Sequence, residues 1–84
     1  MQTGVQFRGT VPANQTARWY TFNWNPTWYV IWTVVPDSVN TASPEITWSV
    51  AVQRASATAV TYWISITNTT NANVDIEARY AIFP

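Results

Sequence analysis

From Val74 onward, the apolar residues Val74, Ile76, Ala78, Tyr80 and Ile82 alternate strictly with positions that include Asp75, Glu77 and Arg79. A period of two gives one dry and one wet face only in a β-strand. The same alternation sets Ile46, Trp48, Val50 and Val52 against Thr47, Ser49, Ala51 and Gln53. It also sets Val60, Tyr62, Ile64 and Ile66 against Thr61, Trp63, Ser65 and Thr67. With β-branched and aromatic residues enriched between Pro, Asn, Ser and Ala clusters, the pattern predicts strands over Val5–Val11, Ala17–Trp24, Trp28–Val35, Glu45–Ala55, Ala59–Thr67 and Val74–Phe83. No segment reads as a helix.

The connectors Pro12–Thr16, Asn25–Thr27, Ser56–Thr58 and Asn68–Asn73 are too short for parallel crossovers and suit antiparallel hairpins. The longer linker Pro36–Pro44 is expected to carry the chain between sheets. Residues 1–84 therefore read as a single all-β domain, a small antiparallel β-sandwich of about six strands, with a small closed barrel as the alternative architecture.

One segment departs from simple alternation. Trp28-Tyr29-Val30-Ile31-Trp32-Thr33-Val34-Val35 is apolar on both faces, which predicts a strand covered on each side. A two-layer sandwich leaves one face of each sheet in water, so a partner or a loop is expected to cover the second. A domain this small also gains from subunits, disulfides or metals. The chain holds no cysteine and no histidine, and homo-oligomerisation is the expectation that remains.

The same poverty narrows the chemistry. Four arginines balance four carboxylates, and lysine is absent, so no positive patch for nucleic acid is expected. No apolar run reaches membrane-spanning length, and membrane insertion is not expected. The amino terminus shows no secretory signal pattern, which leaves cytoplasmic location and non-classical export both open. Neutral-pH acid–base catalysis normally uses histidine; here Asp75 and Glu77 would be the best carboxylate pair, roughly 7 Å apart along a strand. Arg79 continues their row, and a solvated charge ladder is the plainer reading. No catalytic residue, metal site or cofactor is expected, and the chain is not read as an enzyme.

What is abundant is aromatic surface: six Trp, four Tyr and three Phe. Such rings combine apolar area with a polar tip at low conformational cost, which suits recognition. The densest constellation runs from Trp19 to Tyr29. Asn23 and Asn25 flank Trp24 at a tight turn, and sugars need just such a combination of flat rings for their C–H faces and amides for their hydroxyls. Trp24 and Trp28 divide between core and site. Tyr20 is assigned to the core on the plainer reading, and Phe22 and Trp32 more firmly so. Alternation places Trp19 and Trp63 on polar strand faces, and Arg18 and Arg79 would act as hydrogen-bond forks beside the rings. The candidate ligand-binding residues are thus Arg18, Trp19, Asn23, Trp24, Asn25, Trp28, Trp63 and Arg79. They predict a glycan-binding module or small lectin, multivalent through homo-oligomerisation. The alternative is a self-assembling structural protein whose aromatic strand faces contact other subunits and take no small ligand.

Overall fold

A computed structural model describes residues 1–83 and contains six strands: β1 (Gln2–Val11), β2 (Thr16–Trp24), β3 (Tyr29–Pro36), β4 (Ile46–Ser56), β5 (Ala59–Asn68) and β6 (Val74–Phe83). All pairings are antiparallel. They form two three-stranded sheets, ordered β1-β6-β3 and β2-β5-β4. The expected sandwich is present and the barrel is not, because no strand pairing among the described residues joins one sheet to the other.

The connectors differ from expectation. Only β4 and β5 are consecutive strands paired as a hairpin; the short links β1–β2, β2–β3 and β5–β6 arch from one sheet to the other, as the longer β3–β4 link also does. The sheets of a sandwich lie only about 10 Å apart, so a link of a few residues bridges them as readily as it turns a hairpin. At the first arch the amide of Gln15 donates to the carbonyl of Pro12 (3.2 Å), with Asn14 at φ 57°. Asparagine is among the few residues that tolerate this left-handed conformation.

The central strands β5 and β6 supply most of the core. Val60, Tyr62, Ile64 and Ile66 face Val74, Ile76 and Ala78 across the sandwich, joined by Val11, Trp24, Trp32 and Val34. Trp24 is the hub of an edge-to-face cluster, with ring centroids 5.5 Å from Trp32, 6.0 Å from Tyr62 and 5.4 Å from Tyr80. Burial pushes the Tyr62 phenol above its ordinary pKa. Trp32 Nε1 is buried with no oxygen acceptor among the described residues; its ring neighbours offer only π faces, which are weak acceptors.

Both glycines serve this packing through space and not through backbone freedom, since neither has a positive φ. A methyl group on Gly9 would lie 2.6 Å from Trp19 Cζ2, and one on Gly4 would lie 2.8 Å from the Tyr80 hydroxyl. Gly9→Ala is therefore expected to destabilise the domain by about 1–3 kcal/mol through overpacking, outweighing the roughly 0.4–1 kcal/mol that alanine gains by stiffening the unfolded chain. Denaturant unfolding measures the sign, and a more stable variant would contradict it.

The faces of β2 are reversed from the expected ones over most of its length. Thr21 pairs with Tyr62 and Trp24 with Val60, so Phe22 and Asn23 together oppose Thr61 in a β-bulge, with Asn23 at φ 65°. Two residues against one shifts the alternation by one place. Trp19 and Thr21 consequently point inward with Trp24, whose Nε1 donates to Thr21 Oγ1 (2.8 Å). Trp19 is not on the wet face: it stacks on Phe7 with centroids 5.1 Å apart. Tyr20 and Phe22, expected in the core, are 59% and 61% exposed.

On β3, Trp32 and Val34 are buried as expected, but the other face is open. Tyr29 is 70% and Ile31 54% exposed. Within one chain this strand is covered on one side only.

The wet face of β6 is the predicted charge ladder. Glu77 accepts from Arg8 and Arg79, each at 2.9 Å, and Thr10 donates to Asp75. The hydrogen bond from Arg79, chiefly, holds the Glu77 carboxyl below its ordinary pKa, with Arg8 adding to the effect. A depressed folded-state pKa adds stability above the unfolded value and loses it as pH falls through the folded value. Wild type is thus expected to lose stability relative to Glu77→Gln as pH drops below the ordinary carboxylate range, a small effect because both arginine partners are half or more exposed. Parallel acid titrations of the two proteins measure it.

Candidate functional site

The strands run so that one end of the sandwich gathers the start of β1, the end of β6, the β2–β3 turn and the β4–β5 hairpin. The other end gathers three arches: Thr69 reaches the β3–β4 link, its amide donating to the Glu45 carbonyl (3.0 Å), and the other two are tied together by Asn68. Its side chain is fully buried, donating to the carbonyls of Val11 (2.9 Å) and Ala72 (2.7 Å) and accepting from the amide and hydroxyl of Thr70. That end encloses a polar hollow lined by Ser38, Asn40, Glu45 and Asn73, and the opposite, open end carries the exposed Trp28.

At the open end, Asn23, Asn25, Pro26, Thr27, Trp28 and Arg54 lie around a depression of about 490 Å³, with Ala57 and Thr58 completing it. Each wall has a local cause. The bulge forces Asn23 into the left-handed region and leaves its amide exposed. Asn25 Oδ1 accepts from both the amide and the hydroxyl of Thr27 (2.9 Å each), and the Trp28 amide donates to the Asn25 carbonyl. This turn of Asn25-Pro26-Thr27 fixes the entry of β3. Trp28 is 44% exposed and leans edge-on against buried Trp24, with centroids 6.4 Å apart. Arg54 is anchored from below by a bond from its Nη2 to the carbonyl of Ala57 (2.9 Å). Trp28 also borders a smaller apolar hollow with Met1, Gln2, Ile82 and Phe83.

The structure therefore brings together three of the sequence candidates, Asn23, Asn25 and Trp28, joins Arg18 to Trp63 at another place, and separates the rest. Trp24 is 8% exposed and stands behind Trp28 as its support. Trp19 is in the interior. Arg79 lies on the outer face of the other sheet, in its ion pair with Glu77.

Trp63 and Arg18 lie on the outer face of the β2-β5-β4 sheet. Arg18 is 5.6 Å from the Trp63 ring centroid, Tyr20 is 5.1 Å away on the neighbouring strand, and Gln53 Oε1 receives the indole N–H at 2.9 Å. With Phe22 beyond Tyr20 at 6.0 Å, this makes a flat aromatic row in place of a pocket. Three participants escaped the sequence reading. Arg54 reaches the depression because of the short β4–β5 turn, and Tyr20 and Phe22 reach the surface because of the bulge; the only sequence signal for that bulge is that Asn23 tolerates a positive φ.

Comparison with protein-family models, with curated proteins and with solved structures finds no match to this chain. What fold and surface define by themselves is a small antiparallel β-sandwich with an aromatic-rich exterior. Among the described residues no group of three Asp or Glu is placed to hold a metal ion.

Proposed function

We propose that this domain is a non-catalytic glycan-binding module whose site is the open end of the sandwich, with Trp28 as the stacking surface and Asn23, Asn25 and Arg54 as the polar rim. The observation that carries the reading is the depression itself: a 44% exposed indole, backed edge-on by buried Trp24, stands among two amides and a guanidinium. A half-exposed ring buttressed by a buried one is rigid before a ligand arrives, which lowers the ordering cost of binding. Amide and guanidinium groups at its edge supply both donors and acceptors for vicinal hydroxyls. A single shallow site of this size is weak, and more than one copy in an assembly supplies avidity.

A glycan array probed with wild type, Trp28→Ala and Trp63→Ala tests the proposal. Wild type is expected to bind a restricted set of glycans and Trp63→Ala to keep that set. Trp28→Ala is expected to lose at least about tenfold in affinity, in line with the free energy of one stacked ring. Wild type that ignores every glycan overturns the reading in favour of self-assembly without a small ligand, for which the open face of β3 is the supporting observation.

A further inference from the structure

Each sheet has two edges, and three of the four edge strands are blunted. β1 is interrupted by a register shift between Val5 and Phe7, and β2 by its bulge between Thr21 and Trp24. β3 spans eight residues and ends in Pro36. Bulges, prolines and short length are the devices that keep sheet edges from pairing with other chains. β4 has none of them along its main run. It is the longest strand at 11 residues, and from Ile46 to Arg54 it pairs with β5 without interruption. Its one irregularity falls at the very end, between Arg54 and Ser56.

The side chains of β4 that face into the sandwich are also incompletely covered. Their partners on β5, from Val60 to Asn68, are all buried, but Trp48 is 38% and Val52 64% exposed, with Ile46 and Val50 only partly buried. The sandwich is thus open along this edge, with an apolar lining and a row of backbone groups beside it.

We infer that β4 pairs with β4 of a second copy, antiparallel about a two-fold axis at Val50, to continue the β2-β5-β4 sheet through both chains. The two-fold preserves the faces, so inward side chains meet inward side chains. Val50 opposes its own copy and Val52 opposes Trp48, each apolar group against another. The nine residues from Ile46 to Arg54 all find partners in this register. It also keeps like charges apart: the strand carries one charge, Arg54, and the register places the two arginines roughly 27 Å apart by strand rise, each opposite Ile46 of the second copy. A partner of any other sequence would have to match the same alternation, whereas this strand matches itself.

The interface is read from the strand edge and not from the glycan reading, and the solution mass is measured without sugar, so either can fail alone. Light scattering is expected to give twice the 9.5 kDa chain mass. Val52→Lys sets a charge into the seam at a position exposed in the single chain. It is expected to keep the β-sheet circular dichroism and to raise the dimer dissociation constant on the order of a hundredfold or more, as several kcal/mol of mismatch implies. Ile31→Lys, on the outer face of the other sheet, is expected to leave the dimer intact. In a chain without other cysteines, Val50→Cys is expected to give a disulfide-linked dimer, because directly opposed residues of an antiparallel pair lie within disulfide reach. Monomeric wild type, a dimer broken by Ile31→Lys and not by Val52→Lys, or a Val50→Cys dimer that fails to cross-link under oxidising conditions would each overturn the inference.

Discussion

Trp24→Ala is expected to cost about 3–5 kcal/mol of stability, the range for deleting a large buried aromatic. Trp24 is 8% exposed and edges onto Trp28, Trp32, Tyr62 and Tyr80 at once. Removing it also leaves Thr21 Oγ1 without the indole donor at 2.8 Å, although Gln6 Nε2 still reaches that oxygen at 3.2 Å. A domain of this length has on the order of 4–12 kcal/mol of net stability, so this one change takes a large share or all of it. Denaturant titration with far-ultraviolet circular dichroism measures the loss. A loss below about 0.5 kcal/mol, within the range of ordinary surface substitutions, would mean that the aromatic cluster is not the core. The result also separates support from contact: Trp28→Ala, at a half-exposed ring, is expected to leave the fold in place.

Asn68→Asp is the second large effect. The amide nitrogen donates to two carbonyls, Val11 and Ala72, inside a fully buried site. An ionised carboxylate has no donor to offer and would face those oxygens directly. Losing both bonds and leaving the buried Val11 carbonyl without this donor costs about 1–3 kcal/mol, while Ala72 keeps the Thr70 hydroxyl, and a buried unpaired charge adds more. The folded state would favour the protonated acid, so its pKa would be raised. Such a group stabilises most below the unfolded carboxylate pKa of about 3.9 and loses that stability as pH rises through the interval up to the folded value. The variant should therefore be less stable at pH 7 than wild type and should recover part of the deficit at acid pH. Equal stability of the two proteins at neutral pH would show that Asn68 does not tie the β1–β2 and β5–β6 arches together.

The six strands were legible because alternation reports directly on burial, and in β4, β5 and β6 it also assigned the faces correctly. It failed in β2 because face assignment assumes an unbroken period. A single bulge at Phe22–Asn23 exchanged Trp19 with Tyr20 and Phe22, and nothing in residue type marks that bulge beyond the permissiveness of asparagine. Hairpins were over-read for a related reason: a short connector specifies a distance, and the gap between sheets is close to the span of a turn. For the site, Asn23, Asn25 and Trp28 were legible as one constellation because they lie within six residues of one another. Arg54 was not, since only the pairing of β4 with β5 brings a residue so distant in sequence to the same end. Arg79 fell to the opposite sheet because strand order cannot be read from spacing.

The most direct test of the glycan-binding reading is the set of indole N–H resonances in a ¹⁵N–¹H spectrum, titrated with the best oligosaccharide from the array. The six tryptophans lie at distinct places in the fold, so the spectrum reports on every candidate surface at once. Trp28 is expected to shift most, with amide side-chain signals of Asn23 and Asn25 moving alongside it, while Trp32 and Trp63 stay in place. A titration in which Trp63 alone moves would transfer the site to the flat aromatic row of the β2-β5-β4 sheet, and a titration in which no indole moves would contradict the reading altogether.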